Sequence, residues 1–386
     1  MTLFASPAAG RTAAAMPRSG IRELMDLAWA TPGCIHLEVG EPSFPTPPHI
    51  VDAAAKAARD GWTKYVPNAG IPALREAIAD KLARHNGVHV DPSQVIVTAG
   101  GIQALFAAML AVTEPGDHVL LPDPGWPNFA MIAHLLHLSP DFYPLRADHS
   151  FLPSIEDLER SLTPQTRLIV VNSPSNPLGT VMPASLLRDI VAFAERHGLW
   201  VISDECYDAI TLEPGFSSVA AAGDPDRVLS CFSFSKTYAM TGWRVGYVVA
   251  PAEVAPVLQK LQEPIIACVN APAQMAALAA VTGPQDLVDQ MVNDYRSRRD
   301  QLQTLLGQHG ISLLRPAGAF YAWVSLGTEA PPAREFSARL LAERQVATAP
   351  GTAFGAEGEG WVRLSLATDT ELLLEGASRL ADLLMS

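Results

Sequence analysis

Paired cysteines, long apolar runs and an excess of positive charge are all missing from these 386 residues. The four cysteines, Cys34, Cys206, Cys231 and Cys268, stand far apart, with no CxxC pair and no metal-ligand spacing. They read as reduced, mostly buried small hydrophobes, so neither a disulfide framework nor a metal site is expected. No stretch reaches the ~18 apolar residues that a membrane-crossing helix needs. The formal net charge is −13, which argues against nucleic acid or an anionic membrane as partner. A GxGxxG fingerprint and a Walker loop are absent, so a nicotinamide-binding oxidoreductase has no support. Acids are missing from the first 22 residues, which carry Arg11, Arg18 and several Ala and Ser. That composition is faintly like a transit peptide but lacks the apolar core of a signal peptide. A flexible N-terminal arm and a cytoplasmic protein are the expectation.

What remains is ordinary for a soluble globular protein with a large core: 48% hydrophobic and 17% charged residues. The length suits two or three domains. From 95 to 250, strand-like and helix-like patterns alternate, which predicts a largely parallel, doubly wound sheet. Beyond Pro251 the texture changes. Helical patterns over about 252–262 and 270–309 lead into a smaller α+β unit. Expected domains are therefore an arm over 1–45 packing with the small unit, a large domain over 46–270 and a small domain over 271–386.

The stretch 228–250 concentrates chemistry. A β-rich run ends in Ser233, Phe234, Ser235 and Lys236, and Arg244 follows eight residues past the lysine. A lysine amine can form a Schiff base with an aldehyde, while arginine and serine donors suit a phosphate. The plain alternative is a strand end with a solvated lysine and arginine. Other strand ends carry candidates too. Val95–Thr98 runs into Gly100 and Gly101 and then an Ala/Leu-rich helix, whose N-terminus is a ready anion site. Trp126 follows the next strand, and either packs under its loop or offers a face to a flat ring. Asn176 lies in the rigid loop NSPSNPLG. Asp204 closes a buried strand, with Tyr207 three residues on, and is a helix cap, a loop acid or a ligand-facing group. Gly100, Trp126, Asn176, Asp204 and Lys236 thus follow five different strands, which predicts convergence on one sheet edge. Gly40 reads locally as a turn and Tyr65 as an irregular-segment surface residue. Arg363, inside the apolar run WVRLSLA, is either edge-exposed or buried with an anion.

Together the segments LEVGEPSFPTP, KYVPNAGIPALR, NSPSNPLG, DECYD, SFSKTYAMTGWRVGY and RLSLA resemble, in order, the class I/II aminotransferases of fold type I. The resemblance implies pyridoxal 5′-phosphate as cofactor, an amino acid and a 2-oxo acid as substrates, and a ping-pong reaction in two half-reactions. It implies that Lys236 holds the cofactor as a Schiff base and shuttles a proton. Asp204 would pair with the pyridinium nitrogen, Tyr207 and Asn176 with the phenolic oxygen, and Trp126 would stack on the ring. Ser233, Ser235, Arg244 and the backbone at Gly100, Gly101 and Ile102 would hold the phosphate. Tyr65 would reach that phosphate from the neighbouring subunit of a homodimer with shared active sites. Arg363 would clamp the substrate carboxylate, with Gly40, Trp126 and Asn176 beside it. Leu178 replaces a threonine common in relatives. Ile102 and Leu110 are apolar where some aspartate-using relatives carry lysines, which favours a neutral or hydrophobic donor. The alternative on the same scaffold is a lyase, cyclase or decarboxylase. A regulatory cofactor-binding protein would need a DNA-binding module, for which the arm is too short.

Overall fold

The computed structural model describes residues 9–17 and 20–386. Seven strands form the large sheet: β1 Val95–Thr98, β2 His118–Asp123, β3 Ser139–Pro144, β4 Thr166–Asn172, β5 Trp200–Asp204, β6 Val228–Ser233 and β7 Gly246–Val249. Their spatial order is β1-β7-β6-β5-β4-β2-β3. All neighbours are parallel except that β7 runs antiparallel to both β6 and β1. Helices cover both faces, so β1 is buried along its whole length and β4, β5 and β6 along most of theirs. That two-sided burial is why these strands read as continuous apolar runs rather than alternating ones.

This topology explains the predicted convergence. The carboxyl ends of β1, β2, β4, β5 and β6 lie on one edge. Because β7 is reversed, its amino end, and Arg244 just before it, lies on that edge as well. The crossing is tight. A Cβ at Gly246 would sit 2.6 Å from the Gly100 carbonyl carbon and 2.7 Å from the Gly101 nitrogen.

A second, antiparallel sheet has the order Ala349–Pro350, Trp361–Ser365, Tyr321–Ser325, Leu313–Leu314. Chain preceding the large domain is sewn to this unit. Ile35–His36 pairs in parallel with Val346–Ala347, and the Ser365 amide donates to the Leu37 carbonyl at 2.7 Å. The helical pattern over 270–309 is divided in the structure. One helix spans Ala271–Thr282 and another Asp286–Gln308. Pro284 sits between them, with no N–H to donate to a preceding turn. The first of the two packs on the helices Pro48–Arg59 and Pro72–Lys81. The arm contributes the helix Gly20–Trp29 to the described residues. Among those residues, no helix is long and apolar enough to cross a membrane.

Candidate active site

A cavity of about 900 Å³ opens over the shared strand edge. Gly101, Ile102, Trp126, Asn176, Asp204, Tyr207, Ser233, Ser235, Lys236 and Arg244 line it from the large sheet, and Gly40 and Arg363 from the other side. Gly100 and Tyr65 are not among the lining residues, and Tyr65 is 89% exposed.

The helix Gly101–Val112 starts where Gly100 takes a left-handed conformation, φ 80°. Its first backbone N–H groups have no intrahelical acceptor, and Gly101 and Ile102 present theirs at the cavity. A Cβ at Gly100 would fall 2.5 Å from Arg244 Nη2, and one at Gly101 2.8 Å from Cys206 Sγ. Only glycines therefore let the guanidinium and the DECYD turn close on this helix end. Arg244 is itself left-handed, φ 54°, and donates through Nη1 to the Thr241 carbonyl at 2.7 Å. Ser233 caps the short turn Phe234–Thr237 by accepting from the Ser235 amide at 3.1 Å. Two serines, a guanidinium and a helix N-terminus together can hold a dianion.

Lys236 Nζ donates to the Gly40 carbonyl at 2.5 Å. Burial lowers its pKa to about 8, helped by Arg363 and Arg244 and opposed by Cys206 and Glu41. An amine so placed is available as a neutral nucleophile or base near neutral pH. Asp204 is 4% exposed, and its Oδ1 accepts from the Cys206 amide at 3.2 Å. Burial raises its pKa, opposed by the Cys206 hydrogen bonds and by Lys236. Among the described residues no cation makes a salt bridge to it, so the carboxylate is set up to receive one.

Arg363, at the centre of its strand, is 2% exposed. Nη1 donates to Asn176 Oδ1 at 2.8 Å and Nη2 to the Glu38 carbonyl at 2.6 Å, while Nε has no partner. Its guanidinium lies over the rings of Tyr321, at 4.3 Å, and Phe354, at 4.8 Å. Of the two readings open for Arg363, burial is the one observed. Among the described residues no carboxylate makes a salt bridge to it: neutral oxygens and ring faces contact the guanidinium, the buried Glu38 carboxylate favours its charge from nearby, and Nε is left for a carboxylate from outside.

Several lining groups had no sequence signal. Tyr321 reaches the cavity from the small sheet and contacts the Tyr207 hydroxyl at 2.8 Å. Behind the lining, the centroid of the Phe320 ring lies 5.9 Å from Lys236 Nζ. Nothing in AGAFYAWVSL sets these two apart from core aromatics. Ile21, Arg22, Met25 and Asp26, on the arm helix, line the cavity mouth with Met131. Their helical spacing predicts one face, but not what that face meets.

Comparison with known proteins agrees with this arrangement. The family described as "Aminotransferase class I and II" matches residues 32–380. An aspartate aminotransferase of Pyrococcus horikoshii is 37% identical over 94% of each chain. An aromatic-amino-acid aminotransferase of Thermococcus litoralis is 36% identical over 95% of each. The structure of the Thermus thermophilus aspartate aminotransferase with maleate superposes with a TM-score of 0.93 at 36% identity, covering 97% of this chain and 99% of that one. The chain belongs to the class I and II aminotransferases, enzymes that use pyridoxal 5′-phosphate to move an amino group between an amino acid and a 2-oxo acid.

Proposed function

We propose that this aminotransferase works with the residues gathered at the sheet edge, and that its amino donor carries a neutral or hydrophobic side chain. The carrying observation is that Lys236, with its lowered pKa, and the buried, unpaired Asp204 face one cavity. A cation-seeking carboxylate, an empty helix N-terminus and the glycine cradle at residues 100–101 all fit a flat pyridine ring bearing a phosphate. The cofactor, when bound, supplies an electron-withdrawing ring that stabilises negative charge left at the substrate α-carbon.

In this reading the chain's own groups do the rest. Asp204 keeps a proton on the ring nitrogen. Ser233, Ser235, Arg244 and the Gly101 and Ile102 amides hold the phosphate. Tyr207 and Asn176 serve the phenolic oxygen, and Trp126 covers one ring face. Lys236 would hold the cofactor aldehyde and, as the buried amine beside it, would hold and move the substrate α-proton. Arg363 holds the substrate carboxylate in a two-pronged grip, beside Gly40. The exposed Tyr65 supports a homodimer in which it reaches the partner's phosphate. The four free cysteines suit a reducing compartment such as the cytoplasm. We draw the large domain from 46 through the helix Ala271–Thr282, because that helix packs on Pro48–Arg59 and Pro72–Lys81. The rest, with the arm, forms the small domain that closes over the substrate.

Ile102, Ile21, Met25 and Met131 give the lining apolar groups, alongside Arg22, Glu23 and Asp26, and support the neutral donor. One observation favours a second reading. Arg22 lines the same mouth and could meet a second carboxylate, as in a dicarboxylic donor. Half-reactions with leucine, methionine, phenylalanine, alanine and aspartate, followed by loss and return of the cofactor's visible band, decide between them. A neutral amino acid should react at least tenfold faster than aspartate in kcat/KM. Aspartate ahead of the others, with the lead lost in Arg22→Met, would establish the second reading instead.

A further inference from the structure

Tyr207 and Tyr321 meet hydroxyl to hydroxyl at 2.8 Å, and each is at least nine-tenths buried. Neither oxygen has another hydrogen-bond partner among the described residues. The pair therefore holds two protons but only one shared bond, and the proton not used between them must point elsewhere. We propose that Tyr321 is a positioning residue whose hydroxyl donates to Tyr207, turning the Tyr207 proton into the cavity as a donor to the cofactor's phenolic oxygen. This rests on the reading above that Tyr207 serves that oxygen.

Two observations set the direction of the shared bond. The Arg363 guanidinium lies over the Tyr321 ring at 4.3 Å, and a neighbouring cation makes a phenol the better donor. The Tyr321 oxygen also lies against Gly40, where a Cβ would come within 2.6 Å. That close approach leaves little room on this side for an alternative acceptor. Burial raises the pKa of both phenols, and Asp204 and Cys206 disfavour ionisation of both. Arg363 opposes the rise at Tyr321, whose ring its guanidinium covers. The other titratable groups facing the pair are Asp204, Cys206 and, across the cavity, Lys236. The two tyrosines also come from different units. Tyr207 follows β5, and Tyr321 opens the strand Tyr321–Ser325 of the small sheet. Docking of the small unit thus fixes the proton direction at a residue of the large one.

The test is the pH titration of the visible absorption band of the holoenzyme. Tyr321→Phe keeps the ring under Arg363 and removes only the oxygen. It should move the band's midpoint upward by about half a unit to one unit, because Tyr207 becomes a weaker donor. Its KM for the amino acid should stay within about twofold of the parent, since the ring–guanidinium contact is kept. Tyr207→Phe should shift the midpoint further, and adding Tyr321→Phe to it should shift nothing more. An unmoved midpoint in Tyr321→Phe, or an equal shift in both backgrounds, would overturn the role of Tyr321 while leaving that of Tyr207 intact. An unmoved midpoint in Tyr207→Phe would overturn the reading of Tyr207 and this inference with it.

Discussion

One wall of the cavity is the carboxyl edge of the large sheet, and the opposite wall is made by the arm, residues 38–41 and the small sheet. The first wall takes its groups one at a time from the ends of successive buried strands, Asp204 at β5 and Lys236 just beyond β6. Those strands fix each position within a rigid ladder. The second wall is assembled from distant segments. Gly40 receives Lys236, Glu38 receives Arg363, and Tyr321 meets Tyr207 across sequence separations of more than a hundred residues. In the proposed function, cofactor chemistry falls to the rigid wall, and substrate grip and proton direction to the wall assembled from distant segments.

The largest expected effect separates the two walls. Lys236→Ala should lower kcat by at least about 10⁴-fold and abolish the shifted visible band. Arg363→Leu should lower kcat/KM by about 10³-fold through lost charged hydrogen bonds. It should still bind the cofactor and form the visible band. Loss of the band in Arg363→Leu would erase the division of labour.

A smaller contrast lies within the rigid wall, between adjacent acids. Asp204 faces the cavity. Glu205 faces inward, where Oε1 accepts from Ser203, Ser218 and the Val219 amide, and Oε2 has no partner. Burial raises both acids, Glu205 to about 7. For an acid raised on folding, the folded state binds the extra proton. Its destabilisation is absent below about pH 4 and complete once pH exceeds the folded pKa. Asp204→Asn should therefore raise the melting temperature of the cofactor-free protein at pH 8 by about a few degrees. It should also cost about 10²-fold in kcat, since an amide cannot hold a ring-nitrogen proton. Glu205→Gln should leave kcat within about threefold and flatten the fall in melting temperature between about pH 4.5 and 7. Equal kinetic losses in the two variants would show that burial, and not cavity placement, makes Asp204 matter.

The smallest effect is one of pH alone. Uptake of pyridoxal phosphate by the cofactor-free protein needs the neutral Lys236 amine. Because burial depresses this pKa, the uptake rate should rise with pH through a midpoint of about 8. A midpoint near the ordinary lysine value would mean that the cavity is wetter than its lining implies.

Much of the rigid wall was legible before any fold was known. The strand Val95–Thr98 was expected with the bounds it has, and the Gly100–Gly101 helix start follows it directly. Asp204 and Lys236 were expected at strand ends, because a two-sided apolar run broken by a polar residue marks where a buried strand leaves its sheet. The same local logic missed Tyr321, Phe320, Ile21 and Met25. Their immediate neighbours are those of ordinary core or arm residues, and only packing brings them to the cavity. The break at Pro284 was within reach of local reasoning, since a proline between two apolar helical stretches is itself the signal.

The sequence by itself determined the strand–helix alternation, the glycine-led helix end and the set of reactive side chains at strand ends. These depend on periodicity, on backbone conformations that only glycine adopts readily, and on chemistry each residue carries with it. Tertiary structure alone decided that β7 runs backward and returns Arg244 to the shared edge, that Arg363 is buried against neutral oxygens and ring faces, and that the two tyrosine hydroxyls touch. Strand direction and contacts across hundreds of residues are set by how whole layers pack, and no local window of sequence contains that information.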